Sequence, residues 1–206
     1  MIVSVVNLKG GVGKTTTVMH LAAIAAGRGR DVVVLDGDNE RSATAWAHAA
    51  AEAGDPLTFD VRHVEADDAA VTARTLARGG TTVIIDTPPN SREFLWAAAS
   101  VADAVLVPTP PTGVDINRLG STLRVLASID AARGDQPLNA MVLLVRFSGG
   151  RRLAREAAAL LEERQLPVLE ATVRDLERYK QAFGQQPVYL LEYEEVWDEL
   201  EESLEE

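Results

Sequence analysis

Lys9 and Lys14 are two of only three lysines in a chain of 206 residues, and both fall in Lys9-Gly10-Gly11-Val12-Gly13-Lys14-Thr15-Thr16. Glycines let backbone N–H groups close around phosphate oxygens, and a lysine at the end of the loop puts a point charge on the outer phosphates. The apolar, β-branched run Ile2 to Asn7 reads as a strand before the loop. Thr17 to Ala26 has helical spacing after it. A helix starting at the loop would aim its positive dipole end at the anion. Gly10, Gly11, Val12, Gly13, Lys14, Thr15 and Thr16 are therefore expected to hold a nucleotide's phosphates, with the Thr15 hydroxyl placed to ligate Mg²⁺. Lys9 has no place in an ordinary phosphate loop; an exposed surface lysine is the ordinary reading of a lone lysine, but in a chain that uses arginine almost everywhere it is the minor one.

Further chemistry falls where apolar runs end. Val34-Leu35-Asp36-Gly37-Asp38 puts two carboxylates at i and i+2 as a strand runs out, so both project to the same side. Val83-Ile84-Ile85-Asp86 closes an apolar strand with an acid, the arrangement that holds Mg²⁺ in phosphoryl-transfer sites, and Thr87-Pro88-Pro89 follows. A fourth such end is Val105-Leu106-Val107-Pro108, continued by Thr109-Pro110-Pro111.

These segments together resemble the ParA/MinD family of deviant Walker A P-loop ATPases, and most of all the short plasmid-type ParA partition ATPases. The strict pattern G-x-x-x-x-G-K-[ST] fails because Leu8 stands at its first glycine. The family's K-G-G-x-G-K-[ST]-[ST] fits throughout. The resemblance implies ATP and Mg²⁺ as ligands. It implies that Lys9 reaches across an ATP-dependent homodimer to the nucleotide of the other subunit, that Asp36 and Asp86 serve the metal, and that Asp38 orients the attacking water. The family's D-x-D-P-Q is departed from at Asn39-Glu40. The stretches Leu143 to Phe147 and Arg174 to Ala182 look familial as well, and place Arg146 near the base. The implied function is slow ATP hydrolysis that drives DNA partition. The ATP dimer would hold nonspecific double-stranded DNA, and a centromere-binding ParB-type adaptor would stimulate its release.

The elements that must position these residues alternate from end to end. Strands are expected at 2–7, 31–36, 58–62, 82–86, 104–108, 139–145 and 168–171. Helices are expected at 14–28, 42–53, 66–78, 92–100, 114–132, 151–164, 175–183 and 193–204. Strands as uniformly apolar as Val32 to Leu35 read as buried on both faces. The pattern predicts one α/β domain over 1–206, with a mostly parallel twisted sheet flanked by helices on both faces. The last helix gathers Tyr193, Val196, Trp197, Leu200 and Leu204 on one side, with acids on the other.

Cysteine is absent, which excludes disulfides, thiolate zinc sites and iron–sulfur clusters and suits a cytoplasmic protein. His20, His48 and His63 have no ligand-like spacing and are expected at ordinary surface or helix positions. No run reaches the length of a membrane span, and no leader is read at the N-terminus. The net charge is −11, but nine acids and no base lie between Gln185 and Glu206. The remainder is near neutral, with a local basic stretch that includes Arg151, Arg152, Arg155, Arg174, Arg178 and Lys180. Those six are the expected DNA contacts, which would associate the ATP form with the nucleoid. On charge alone an ordinary solvated surface explains them equally well. A membrane-cycling MinD-like protein needs a basic amphipathic tail, and this tail is acidic. An iron protein needs cysteines. A carboxylate ligase needs a second substrate pocket that no residue demands. A positioner of non-DNA cargo would keep every motif named here.

Overall fold

The computed structural model describes residues 1–147, 151–162, 167–188 and 190–205. Strand and helix alternate as β1 (Ile2–Val5), α1 (Lys14–Gly27), β2 (Val32–Asp36), α2 (Ser42–Glu52), β3 (Asp60–His63), α3 (Ala66–Arg78), β4 (Thr82–Asp86) and α4 (Arg92–Ala99). They continue as β5 (Ala104–Thr109), α5 (Gly113–Arg133), β6 (Ala140–Phe147), α6 (Arg151–Glu162), β7 (Val168–Arg174), α7 (Glu177–Gln181) and α8 (Leu191–Glu205). Seven strands form one sheet in the order β3-β2-β4-β1-β5-β6-β7, and each pairing is parallel. The expected fold class is the observed one.

Side-chain alternation along the strands divides the core in two. Val3, Val5, Val32, Val34 and Ile84 pack with α1, α2 and α8, whereas Ile2, Val33, Leu35, Val83 and Ile85 pack with α3, α4 and α5. Burying both faces requires uninterrupted apolar strands, as in Val32–Asp36 and Thr82–Asp86, every residue of which is buried. Strand order reverses direction about β1, which lies between β4 and β5. In an open parallel sheet the crevice at such a point, beyond the strands' carboxyl ends, is where ligands bind. The loop after β1 emerges there.

Helix α8 is part of the body. Tyr193, Val196, Trp197 and Leu200 are buried, and each side chain of this size contributes roughly 1.5–3 kcal/mol by leaving water. Its acids are not simply turned to solvent. Asp198 and Glu201 pair with Arg28, Glu201 also pairs with Arg30, and Glu199 accepts the Glu170 and Ala171 amides at 2.8 and 2.6 Å. Arg30 lies 5.8 Å from the centre of the Trp197 ring.

Several boundaries differ from expectation, as in β7, which runs on to Arg174, and at two of them the local reason is plain. β1 ends at Val5 because the Asn7 side chain turns the chain, accepting the Lys9 amide at 2.9 Å and donating to the Pro108 carbonyl at 2.9 Å. α7 starts two residues later than the apolar pattern suggests, since Leu176 is extended (φ −102°, ψ 138°) and its amide bonds back to Arg174.

Candidate phosphate-binding site

A cleft of about 650 Å³ opens over the ends of the central strands, within the size range of small-molecule sites. Its floor is the loop from Gly10 to Thr16. Gly11 (φ 71°) and Gly13 (φ 92°) are left-handed, a conformation in which a Cβ is strained. Gly13 is also the N-cap of α1 and offers no side-chain acceptor, so the first-turn amides of the helix are left for an anion. Lys14 is 7% exposed, with its ammonium 3.4 Å from the Lys9 carbonyl. Burial lowers its pKa, against the opposing charges of Asp86 and Asp38.

The carboxylates stand in register. Asp36 and Asp86 are direct partners of β2 and β4. Asp36 is fully buried and already claimed by protein donors: the Thr44 amide at 2.8 Å, the Thr44 hydroxyl at 2.7 Å and the Asp38 amide at 3.1 Å. Asp86 differs. Burial pushes its pKa up to about 7, against a hydrogen bond from Thr15 and the charge of Lys14, and with Asp36 and Asp38 adding to the rise. Its Oδ2 is buried without a hydrogen-bond partner. An orphaned carboxylate oxygen beside a threonine hydroxyl is the donor set a hard divalent cation takes, so Thr15 and Asp86 fit Mg²⁺. Asp38 lines the cleft and accepts the Glu40 amide at 3.0 Å.

The far wall is aromatic and was not legible as a wall. Trp46, Tyr179, Phe183 and Tyr193 line the cleft, joined by Val145, Val173 and Leu176. They come from α2, α7, the turn after it and α8, and no short-range spacing ties Trp46 to residues more than a hundred positions away. The Trp46 indole donates to the Gln185 carbonyl at 2.8 Å and packs 5.6 Å from Phe183. His20 sits behind this wall, on a helix as expected but buried, stacked on Tyr193 at 4.7 Å and bonded to the Thr16 carbonyl at 2.7 Å.

Arg146 lines the same cleft from the end of β6, exposed and in a left-handed conformation (φ 55°) that costs a non-glycine residue energy. Arg174, expected on a DNA surface, also lines the cleft, and its guanidinium pairs with the buried carboxylate of Glu192. Arg178 is exposed on α7. The side chains of Arg151, Arg152, Arg155 and Lys180 lie outside the described residues. Lys9 is a third exposed, and its ammonium pairs with Asp115 at the start of α5.

The family model of the CobQ/CobB/MinD/ParA nucleotide binding domain matches residues 3–188. The chain belongs to this family. Among relatives of this ParA/MinD-family domain, the maintenance of carboxysome distribution protein A of Gloeobacter kilaueensis is 36% identical over 186 residues, which are 88% of this chain and 80% of that protein. Protein ParA of Rhizobium radiobacter is 32% identical over 131 residues, 64% of this chain and 58% of that one. The structure of a plasmid partition protein of Borrelia burgdorferi bound to AMPPNP superposes with a TM-score of 0.75 at 18% identity, covering 98% of each chain. The domain is thus a positioning ATPase of the ParA/MinD type. No helix among the described residues is long and apolar enough to cross a membrane.

Proposed function

We propose that this domain binds ATP with Mg²⁺ in the cleft above β1, dimerises around it, and hydrolyses it slowly to time the release of a cargo-positioning complex. The observation that carries this reading is the two-lysine loop Lys9–Thr16, whose Lys14 and Thr15 stand beside the orphaned Asp86 oxygen over the open first-turn amides of α1. The amides of Gly11 to Thr16 and the Lys14 ammonium hold the phosphates. Thr15 and, through water, Asp86 hold the metal, with Asp36 in the surrounding shell. When bound, Mg²⁺ neutralises charge on the phosphate oxygens. Asp38 aligns the attacking water, and Lys9 of one protomer neutralises the phosphates held by the other. Catalysis by positioning and charge stabilisation needs no covalent step on the protein. Arg146 and the aromatic wall face the base.

The cargo is read as a protein assembly. The support is the 36% identity to the Gloeobacter carboxysome-distribution protein across most of both chains. DNA partition with a ParB-type adaptor is the second reading, favoured by the 32% identity to ParA. Both readings use the ATP dimer as a nonspecific DNA binder, through arginines that include Arg151, Arg152, Arg155 and Arg178. Purified protein with ATP and Mg²⁺ should retard arbitrary duplex DNA at low salt and lose it steeply as salt rises. Retardation equal with ATP and ADP would contradict the switch. In the native cell, deletion that bunches a protein compartment while its replicons are retained supports the first reading. Replicon loss supports the second.

A further inference from the structure

Gly37 stands between Asp36 and Asp38, and the ring of Phe94 from the first turn of α4 lies directly on it. A Cβ built at Gly37 would meet Phe94 Cζ at 1.9 Å and its two Cε atoms at 2.3 and 2.5 Å. The Gly37 backbone is outside the left-handed region, so the ring excludes a side chain there and the backbone does not. Phe94 is buried at 3% exposure, and its amide donates to the Ser91 cap of α4 at 3.2 Å. The loop that delivers it runs from Asp86 and is itself tied to the phosphate loop. The Asn90 amide bonds the Leu8 carbonyl at 2.9 Å, and a Cβ at Gly10 would touch Pro89 at 3.5 Å. The Gly37 amide closes the circuit on the Asp86 carbonyl at 2.9 Å.

We infer that Phe94 is a positioning residue: by packing on Gly37 it sets the direction of Asp38 and couples that carboxylate to the Asp86–Asn90 loop and, through it, to the phosphate loop. This rests on the proposed ATP hydrolysis with Asp38 aligning water. A purely packing role would lower stability and leave the split between turnover and binding alone. A positioning role lowers turnover at unchanged nucleotide affinity, because only the placement of the water is disturbed.

The pair offers an exchange test. Leucine at 94 lacks the three ring carbons that collide with a Cβ at 37, so Gly37→Ala and Phe94→Leu should compensate each other. The measurements are Mg²⁺-ATP hydrolysis, affinity for a fluorescent ATP analogue and melting temperature, on the parent, both single variants and the double variant. Each single variant is expected to lose roughly tenfold in kcat, with analogue affinity within about twofold of the parent, and the double variant to recover most of the loss. Single variants that turn over at the parent rate, losses that follow melting temperature or affinity instead of kcat, or a double variant no better than the worse single one would each overturn the inference. A parent without ATP turnover overturns the hydrolysis reading and takes this one with it. A parent that turns over beside unaffected variants overturns this one alone.

Discussion

The ammonium of Lys9 is paired with the carboxylate of Asp115, 106 residues away in sequence and in the first turn of α5. The other Asp115 oxygen accepts the Thr112 hydroxyl at 2.5 Å, and that hydroxyl in turn caps the helix by accepting the Asp115 amide at 3.2 Å. Burial works to raise the Asp115 pKa, but the hydrogen bonds from Lys9 and Thr112 and the charges of Lys9 and Arg118 outweigh it, so the group sits below the usual carboxylate range. Asp115 is therefore charged at neutral pH, and its pairing holds Lys9 within its own chain.

A lysine that serves the partner's nucleotide has to leave this contact. Asp115→Asn should then ease dimerisation with ATP. A partly exposed pair is worth up to about 1 kcal/mol, and two such pairs break per dimer, which corresponds to an up to roughly thirtyfold lower concentration for half-dimerisation. Sedimentation velocity across a concentration series reads this directly. A dimer weakened by the change would mean that Asp115 aims Lys9 at the partner instead of restraining it.

Asp86→Asn should trade activity for stability. The folded-state pKa of about 7 lies above the ordinary 3.8, so the buried group favours its neutral form. Its contribution to stability is intact below pH 3.8 and is lost as pH rises through about 7. Asparagine stays neutral throughout. The variant should melt about 3 °C or more above the parent at pH 8, with the gap closing toward pH 4, and should lose Mg²⁺-dependent hydrolysis. Scanning calorimetry at the two pH values checks the first part and a phosphate-release assay the second.

The contrast between Asp86 and Lys9 shows what could be read without coordinates. Local patterns were sufficient for the alternation of strands and helices, for the glycine loop and for acids at strand ends, because each depends on neighbours a few residues apart. All seven expected strands lie in the sheet, and α3 has the bounds its periodicity suggests. Contacts across long sequence separations were not legible. Asp115 under Lys9, Phe94 on Gly37 and Trp46 against Gln185 are set by how helices land on the sheet, and no spacing rule encodes that. The burial of Glu192 was equally hidden, since the acid count of α8 reads as a solvated face.

His20 supplies a pH test of the wall behind the cleft. Burial lowers its pKa to about 4, with the Thr16 carbonyl opposing. Its ordinary value is 6.5, so it contributes fully above that pH, and stability is lost as pH falls from 6.5 through about 4, where the unfolded chain takes up a proton that the folded chain refuses. The total loss is roughly 3 kcal/mol at about 1.4 kcal/mol per pK unit. His20→Asn keeps a donor toward the Thr16 carbonyl and removes the titration. Urea unfolding at pH 7.5 and pH 4.5 should show a smaller pH-dependent loss in the variant than in the parent.

Glu192 should matter for binding and not for turnover. Its carboxylate accepts the Arg174 amide at 3.2 Å and the Tyr179 hydroxyl at 2.9 Å, and pairs with the Arg174 guanidinium, so it holds two cleft-lining residues at once. Glu192→Gln weakens charge-assisted bonds worth about 1.5–3 kcal/mol each when intact. Affinity for a fluorescent ATP analogue is expected to fall several-fold while kcat at saturating ATP stays at the parent value.

The most direct measurement is the solution mass of the Asp38→Ala protein, expected to be slowed in hydrolysis, with Mg²⁺-ATP, with Mg²⁺-ADP, and again after adding Lys9→Ala. Light scattering should give twice the 22.1 kDa chain mass with ATP alone, and the single-chain mass with ADP or without Lys9. A single-chain mass under every condition, or a dimer indifferent to Lys9, would contradict the account.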